Sequence, residues 1–333
     1  MGNTHFEGLS AEQRDAADAT LRRVLGPVPL GAVTRLAGGA TAAAILRIDA
    51  GGRRYLLRIE GPASPLRNPH QYVSLRIAAD AGIAPKLHYF DEAARVAVID
   101  FIEPRPLAGF PGGPPALAQA LGELLRRLQS TPVFPYFVDY PDIVARLWAH
   151  VCRTGLFAPG VLDAASEHLA RLREAYVWDR GRSVSSHNDS IPANILFDGE
   201  RLCMIDWESA YRNDPLVDVA IVSDNLARMP GLEEILLRAW IGRAPDEAMR
   251  ARLKLTRALT RLYYAGVFFS ASATLPRAAP DTDVTAPALA GLQAALGDGR
   301  LKPGTPAAKH VLGKMYLASF LSDSQTPGFD AAV

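Results

Sequence analysis

The hydrophobic pattern of the first hundred residues switches between helical and strand spacing. Apolar positions recur every three to four residues over 9–25 and 70–81, and glycine followed by proline closes each segment. Short apolar runs, with Gly51-Gly52 as a hairpin signal, predict strands elsewhere in this part. The predicted strands cover residues 33–37, 44–48, 55–59, 86–91 and 95–102. The pattern predicts a small sheet accompanied by two helices.

Proline-rich sequence follows residue 102, and the pattern beyond it is mostly helical. Proline interrupts both helices and sheet ladders, so we expect a boundary between residues 1–102 and 103–333. One strand-rich segment, 184–208, interrupts the helical part, and residues 298–333, rich in Gly, Pro and Ala, are expected to form a tail or a cover. The predicted helices are 115–130, 140–153, 161–176, 231–242, 246–272 and 284–296. This pattern indicates an α+β protein with two lobes.

Composition and charge exclude several classes of protein. The 36 basic and 35 acidic residues leave a net charge of +1, which argues against nucleic-acid binding. Two cysteines exclude a disulfide scaffold and a cysteine-rich zinc site. No apolar run of membrane-spanning length and no signal-peptide pattern occur, so we expect a cytoplasmic protein without a membrane partner. The oligomeric state stays open.

The strand-rich segment carries the candidate chemistry. His187-Asn188-Asp189 breaks a short strand, and Asp198-Gly199 predicts a hairpin that brings Asn194 and Asp206 to the same end of two strands. Asp189 lies on the loop five residues before Asn194 and can face the same point. Two carboxylates and an amide oxygen form the kind of site that Mg²⁺ prefers. Alternatively, these side chains are turn and strand-end residues without a ligand.

The spacing His-x-Asp-x-x-x-x-Asn, followed by Ile205-Asp206-Trp207-Glu208, resembles the aminoglycoside phosphotransferase and choline kinase family of protein-kinase-like small-molecule kinases. The resemblance is nearer to the choline and ethanolamine kinase branch. It implies a bilobal protein-kinase-like fold, ATP as co-substrate and Mg²⁺ as cofactor. By this resemblance Asp189 is the catalytic residue, Asn194 and Asp206 are metal ligands, and His187 and Asp218 support the loop.

The resemblance also assigns a nucleotide site in the first lobe. Gly38, Gly39 and Thr41 resemble the phosphate loop, although Ala42 stands where the family has asparagine. The backbone around Ile102 is expected to bind adenine.

The cation of the nucleotide site cannot be lysine, because no lysine precedes Lys86. Arg58 occupies the matching strand position and can bind phosphate with two N–H groups. Gln71 stands where the family's helix supplies a glutamate, and its neutral amide can hydrogen-bond Arg58 but cannot form the usual ion pair. Glu60, two residues after Arg58, is a substitute partner.

An acceptor site for a small-molecule hydroxyl is expected in the second lobe. Cationic acceptors favour aromatic rings and carboxylates, and the resemblance points to Asp224, Tyr264 and Phe268. Glu208 either faces the acceptor as well, or binds or supports the metal. Because Tyr264 and Phe268 are four residues apart, they share one helix face. Such an aromatic stripe also occurs in ordinary helix packing.

Three functions remain open from the sequence. The first is an ATP- and Mg²⁺-dependent kinase that phosphorylates a choline- or ethanolamine-like amino alcohol. The second is a kinase for an aminoglycoside or sugar-like hydroxyl, which would favour an acidic acceptor pocket with few aromatic residues. A nucleotide-binding pseudokinase or regulatory module is the third, supported by Gln71 and Ala42 but not by the intact Asp189.

Overall fold

Helices and strands alternate along the N-terminal part of the chain, as the hydrophobic spacing predicts. The computed structural model describes residues 6, 9–36, 43–61, 68–177, 179–229, 231–274 and 279–324. The first five strands are β1 (Leu30–Arg35), β2 (Ala44–Ala50), β3 (Arg53–Ile59), β4 (Leu87–Asp91) and β5 (Val96–Asp100). They form one antiparallel sheet in the order β1-β2-β3-β5-β4.

Shorter strands and the helices make up the rest of the described chain. The strands are β6 (Val184–Ser186), β7 (Ile195–Phe197), β8 (Leu202–Met204) and β9 (Tyr211–Asn213), paired as β6-β9 and β7-β8. The helices are α1 (Ala11–Leu25), α2 (Gln71–Asp80), α3 (Gly113–Gln129), α4 (Tyr140–Arg153), α5 (Asp163–Ala175), α6 (Leu216–Leu226), α7 (Leu232–Ile241), α8 (Glu247–Ser272), α9 (Leu289–Gly297) and α10 (Pro306–Ser324). The predicted α+β class is therefore observed.

The chain divides into two compact units. The first comprises residues 1–137, 184–212 and 225–243, and the second comprises 138–183, 213–224 and 244–333. Each of these units consists of residues that pack mainly against one another. The predicted lobe boundary after residue 102 was instead placed at the proline-rich segment. The extent of the two lobes stays a prediction.

Alternation along β3 and β5 gives the five-stranded sheet two different faces. Leu57, Val96 and Val98 are fully buried in the core beneath α1. The residues that alternate with these along the two strands, among them Arg58 and Ala97, line a cavity on the opposite face. Because side chains alternate with a period of two, the core that fixes the strand register also fixes Arg58 on the cavity side.

Helix α1 begins with the capping box that its sequence predicts. The Ser10 hydroxyl accepts a hydrogen bond from the Gln13 backbone at 3.2 Å, and the Gln13 side chain accepts one from the Ser10 backbone at 3.1 Å. This reciprocal pair satisfies two amides of the first turn and fixes where the helix begins. Ala17 and Leu21 then face the sheet core.

Helix α10 differs from its expectation. Residues 306–324, within the segment expected to form a tail or a cover, form a long helix whose Leu317 and Phe320 are fully buried. It packs along α8, where the Cβ of any side chain at Gly313 would lie 2.6 Å from the Phe269 ring. The glycine that made this segment resemble a tail instead permits a close approach between two helices.

Helices α3 and α7 are in backbone contact at Gly122. A Cβ there would lie 2.3 Å from the Leu236 carbonyl oxygen and 2.8 Å from the Ala239 Cβ. We therefore expect Gly122→Ala to lower the free energy of unfolding by roughly 1–3 kcal/mol through overpacking, as measured by urea denaturation.

The matched control for this variant is Gly291→Ala in α9. Its new Cβ would lie 3.5 Å from the Pro287 Cβ, which is an ordinary contact distance. Helix propensity is then the only expected effect, so the free energy of unfolding should stay equal or rise by up to about 1 kcal/mol. If Gly122→Ala unfolded at the wild-type urea concentration, the described contact between α3 and α7 would be incorrect.

Asp281 connects the segment before α9 to α10. Its carboxylate lies 2.7 Å from both His310 Nε2 and Lys314 Nζ. Burial raises the pKa of Asp281, but the hydrogen bonds from Lys314 and His310 outweigh burial and lower the pKa to about 2. The ionised form is thus favoured in the folded state.

Asp281→Asn is expected to lower the free energy of unfolding by about 2 kcal/mol at pH 7. Because the folded-state pKa is depressed, the carboxylate stabilises the protein above its unfolded pKa of about 4. That contribution disappears as the pH falls through the folded pKa of about 2. Urea unfolding measures the difference in free energy of unfolding between variant and wild type, and we expect this difference to be smaller at pH 3 than at pH 7. An equal difference at both pH values would contradict the ion-pair explanation.

Candidate active site

Buried polar side chains hold the loop between β6 and β7. His187 is fully buried, its Nε2 lies 2.8 Å from the Ile205 carbonyl oxygen, and its ring stands edge-on to Trp207 at 4.7 Å. Asn188 has a left-handed backbone (φ 62°) and donates its amide to the Ser209 carbonyl at 2.9 Å. These contacts tie the loop to the chain on both sides of Asp206. The supporting role predicted for His187 agrees with this position and stays a prediction.

Asp189 and Asn194 are directly hydrogen-bonded. The Asn194 amide nitrogen donates to the Asp189 carboxylate at 2.8 Å and to the Asp189 carbonyl at 2.9 Å. The short turn Pro192–Asn194 sets this spacing, since it shortens the path between the two residues. With the amide nitrogen held by Asp189, Asn194 presents its amide oxygen to its other surroundings.

Asp206 follows directly from the hairpin that β7 and β8 form. Ile195 pairs with Met204, and the Ile205 amide donates to the Asn194 carbonyl at 3.0 Å, so the two chain ends stay together beyond the ladder. Asp206 itself has a left-handed backbone (φ 64°, ψ 64°). Such a conformation is costly for a residue other than glycine and is concentrated at functional sites, where the surrounding contacts enforce it.

The three predicted oxygen-bearing residues are thus close together. Asp189 contacts Asn194, and Asn194 lines the same cavity as Asp206. Over the described ranges, no group of three or more His, Cys, Asp or Glu side chains is arranged to hold a metal ion. The Asn194 oxygen and the Asp206 carboxylate would instead supply two hard oxygen ligands, which fits an ion that takes its other ligands from phosphate and water. The catalytic and metal-binding roles of these residues stay predictions.

Arg58 connects the sheet to this centre through three carboxylates. Its Nε donates to Glu60 at 2.6 Å, one terminal nitrogen donates to Asp206 at 2.8 Å, and the other donates to Glu208 at 2.9 Å. Burial lowers the pKa of Arg58, but the charges of Asp206, Glu60 and Glu208 outweigh burial and raise it well above its ordinary value. Arg58 is therefore permanently charged, and the four groups together carry a net charge of −2.

Glu60 is the partner of Arg58 that lies on the same strand. The Glu60 side chain is 1% exposed and lies two residues along from Arg58, whereas Gln71 lines the cavity at the start of α2. A buried carboxylate supplied by the strand itself therefore forms the ion pair that Gln71 cannot form. Glu208 is one of the three carboxylates on Arg58, and its predicted role in the acceptor site stays a prediction.

A cavity of about 580 Å³ lies beside these charges. Most of its lining residues are apolar, and Ile102, predicted to contribute to adenine binding, is among them. The predicted phosphate-loop residues Gly38, Gly39 and Thr41 lie outside the described residues, as does Ala42. Apolar side chains from the sheet and the hairpin complete the wall: Leu36, Ile45, Leu56, Ala97, Ile99 and Leu196.

The remaining predicted residues belong to the second compact unit. Asp218 is fully buried in the first turn of α6. Asp224, on the same helix, forms ion pairs with Arg257 at 2.8 Å and Arg261 at 2.7 Å, and its side chain is 9% exposed. Two guanidinium groups thus neutralise the carboxylate that was predicted to bind a cationic acceptor.

Tyr264 and Phe268 share one face of α8, as their spacing predicts. Both rings contact Tyr316 of α10, at centroid distances of 5.5 and 5.7 Å. Tyr264 is buried, whereas Phe268 is partly exposed. The acceptor-binding role of these residues stays a prediction.

Sequence reasoning missed the partners of Asp224 and of the aromatic pair. Tyr316 lies in the segment expected to form a tail or a cover. His310, Gly313, Leu317 and Phe320 follow helical spacing that could have identified α10. Arg257 and Arg261 are also four apart on α8, but charge spacing alone does not indicate which carboxylate they bind.

Among the described residues, no helix combines the length and the apolar composition that crossing a membrane requires.

Comparison with known proteins identifies the family. The sequence profile described as "Phosphotransferase enzyme family" matches residues 32–255, more than half of the chain. A curated relative, Protein LicA from Haemophilus influenzae, is 37% identical over 54 residues. That match spans 16% of this chain and 20% of LicA, so only about a fifth of the relative's length is matched.

Solved structures share the fold. A choline/ethanolamine kinase family protein from Mesorhizobium loti has a TM-score of 0.66 at 22% identity, covering 95% of this chain and 97% of its own. A spectinomycin phosphotransferase, in complex with ADP and spectinomycin, has a TM-score of 0.54 at 15% identity, covering 79% of this chain and 89% of its own.

The predicted protein-kinase-like fold, with its small antiparallel sheet and larger helical part, is confirmed by these neighbours. The predicted resemblance to aminoglycoside phosphotransferases and choline kinases is confirmed as well. The expected phosphotransferase class agrees with this family, whereas the alcohol group as acceptor stays a prediction. The chain belongs to the phosphotransferase enzyme family.

Proposed function

We propose that this protein is an ATP- and Mg²⁺-dependent kinase that transfers the γ-phosphoryl group to a hydroxyl of a small molecule. The observation that carries the proposal is the hydrogen-bonded Asp189–Asn194 pair beside Asp206, at the edge of a cavity with one permanently charged arginine. Phosphoryl transfer requires mainly positioning and neutralisation of charge, and this set of groups can supply both.

Asp189 is the residue that acts on the acceptor. Its carboxylate is partly exposed and oriented by Asn194, so one oxygen can accept a hydrogen bond from an acceptor hydroxyl and then its proton. His187 and Asn188 keep the loop in place through their backbone contacts. Orientation of the hydroxyl oxygen toward the phosphorus is the main contribution expected from this loop.

Asn194 and Asp206 are the residues that would hold Mg²⁺. Bound Mg²⁺ would neutralise charge on the nucleotide phosphates during transfer. Arg58 would add a second positive group that binds phosphate oxygens with two N–H groups.

The apolar part of the cavity would take the adenine ring. Ile45, Leu56 and Ala97 line the cavity from the sheet, and Leu196 lines it from the hairpin. Apolar surroundings favour a planar base over a charged group, because the base can be buried there and can form hydrogen bonds with the backbone.

The acceptor we propose is an amino alcohol of the choline or ethanolamine type. The rings of Tyr264, Phe268 and Tyr316 form an aromatic cluster in the second unit, and aromatic faces attract ammonium groups. The Mesorhizobium loti neighbour is named as a choline/ethanolamine kinase family protein, which supports this acceptor class over a sugar-like hydroxyl.

Thermal unfolding followed by a coupled ADP assay tests the proposal. MgATP should raise the melting temperature, since ligands that bind only the folded state stabilise it. Choline, ethanolamine and spectinomycin are then compared as acceptors for Mg²⁺-dependent ADP release. Release with an amino alcohol is the expected result, and release with spectinomycin alone would assign the second acceptor class. Absence of both a thermal shift and acceptor-dependent ADP would contradict the kinase function.

A further inference from the structure

Arg58 occupies the centre of a carboxylate cluster that includes a predicted metal ligand. Each of its three guanidinium nitrogens donates to a different carboxylate, at 2.6–2.9 Å. Its side chain is 17% exposed, and those of Asp206 and Glu208 are 28% and 25% exposed. One fixed cation thus already neutralises part of the charge that would otherwise attract a divalent ion.

We propose that Arg58 excludes free divalent ions and makes metal binding conditional on the nucleotide. This inference rests on the proposed function. While no nucleotide is bound, the guanidinium holds Asp206, and an ion must compete with that ion pair. When phosphates enter, they offer Arg58 an alternative anion, and Asp206 is released to the ion.

The geometry explains why arginine suits this position. A planar guanidinium can serve three acceptors at once, whereas a lysine ammonium behaves as a compact point charge. The same N–H groups match phosphate oxygens, so exchange between carboxylate and phosphate costs no hydrogen bond. Glu60, nearly fully buried, stays on Nε and keeps the guanidinium in the cavity during the exchange.

Binding of Mn²⁺ alone tests the inference without any turnover. Free Mn²⁺ is titrated by electron paramagnetic resonance into the wild type, Arg58→Gln and the control Arg54→Gln, all without nucleotide. Arg54 lies on the same strand, is half exposed and pairs with Glu103, so its loss removes equal charge outside the cluster. We expect Arg58→Gln to bind Mn²⁺ at least tenfold more tightly than the wild type, and Arg54→Gln to bind within twofold of it.

Arg58→Lys provides a second variant in case the glutamine variant does not fold. A lysine retains one positive charge but cannot hold three carboxylates, so Mn²⁺ affinity should rise at least threefold. Unchanged or weaker Mn²⁺ binding in the folded variants would overturn the inference, and equal tightening in Arg54→Gln would do the same.

A parallel titration with ADP separates this inference from the proposed function. In the wild type, ADP should increase Mn²⁺ affinity strongly, and in Arg58→Gln this enhancement should shrink at least tenfold. If Mn²⁺ and ADP together do not bind the wild type, the proposed function fails. If they bind but the enhancement is the same in Arg58→Gln, only the role of Arg58 fails.

Discussion

Asp189→Asn is expected to reduce kcat by roughly 10²–10⁴-fold, which is the usual contribution of a positioned acid or base. The amide keeps the size of the side chain but cannot take a proton from the acceptor hydroxyl. Because Asp189 contacts Asn194 and does not line the cavity proposed for the nucleotide, the dissociation constant for MgATP should stay within about threefold. Steady-state kinetics and calorimetric titration measure the two quantities separately.

Asp198→Asn is the matched control for this variant. Asp198 lies nine residues further along and caps the β7–β8 turn by accepting hydrogen bonds from the Glu200 and Arg201 amides. Asparagine can accept the same hydrogen bonds, so kcat should be nearly unchanged. Wild-type turnover in Asp189→Asn would remove this residue from its catalytic role.

Asp224→Asn is expected to lower the free energy of unfolding by about 3 kcal/mol. Removing one partner from a buried ion pair destabilises the charge that remains. Asp224 pairs with both Arg257 and Arg261, and Arg261 keeps a second ion pair with Asp323. We expect a lower melting temperature with an unchanged KM for the acceptor. A raised acceptor KM with wild-type stability would instead support the direct acceptor contact that the resemblance predicts.

A surface ion pair in the same unit provides the control. Asp142 pairs with Arg173 at 2.8 Å, and both side chains are more than 40% exposed. Asp142→Asn should therefore change the free energy of unfolding by no more than about 1 kcal/mol. The contrast isolates burial as the cause of the larger effect at Asp224.

Local sequence patterns predicted the sheet and most helices. In these elements one face is buried, so apolar residues recur with the period of a strand or of a helix. Helix α6 was not evident from periodicity, since every position from Leu216 to Asp224 is buried and no polar face marks a period. Helix α10 was missed because its small residues resembled those of a loop. In both cases the tertiary environment determines the structure.

The geometry of the loop that carries Asp189 was predictable because it is local. Asp189 and Asn194 are five residues apart, and a two-stranded hairpin fixes the path from Asn194 to Asp206. The partners of Arg58 and Asp224 were only partly predictable. Glu60 follows from strand alternation, whereas the Arg58–Glu208 and Asp224–Arg261 pairs join residues 150 and 37 positions apart, which no local pattern can relate.

The central claim is that Asp189, Asn194 and Asp206 converge on one cation–phosphate centre. Crystals grown with Mn²⁺ and a non-hydrolysable ATP analogue test it directly through the anomalous signal of manganese. The predicted result is a manganese peak about 2 Å from the Asn194 amide oxygen and from an Asp206 carboxylate oxygen, with the γ-phosphate facing Asp189. A peak bound by neither residue, or a γ-phosphate turned away from Asp189, would contradict it.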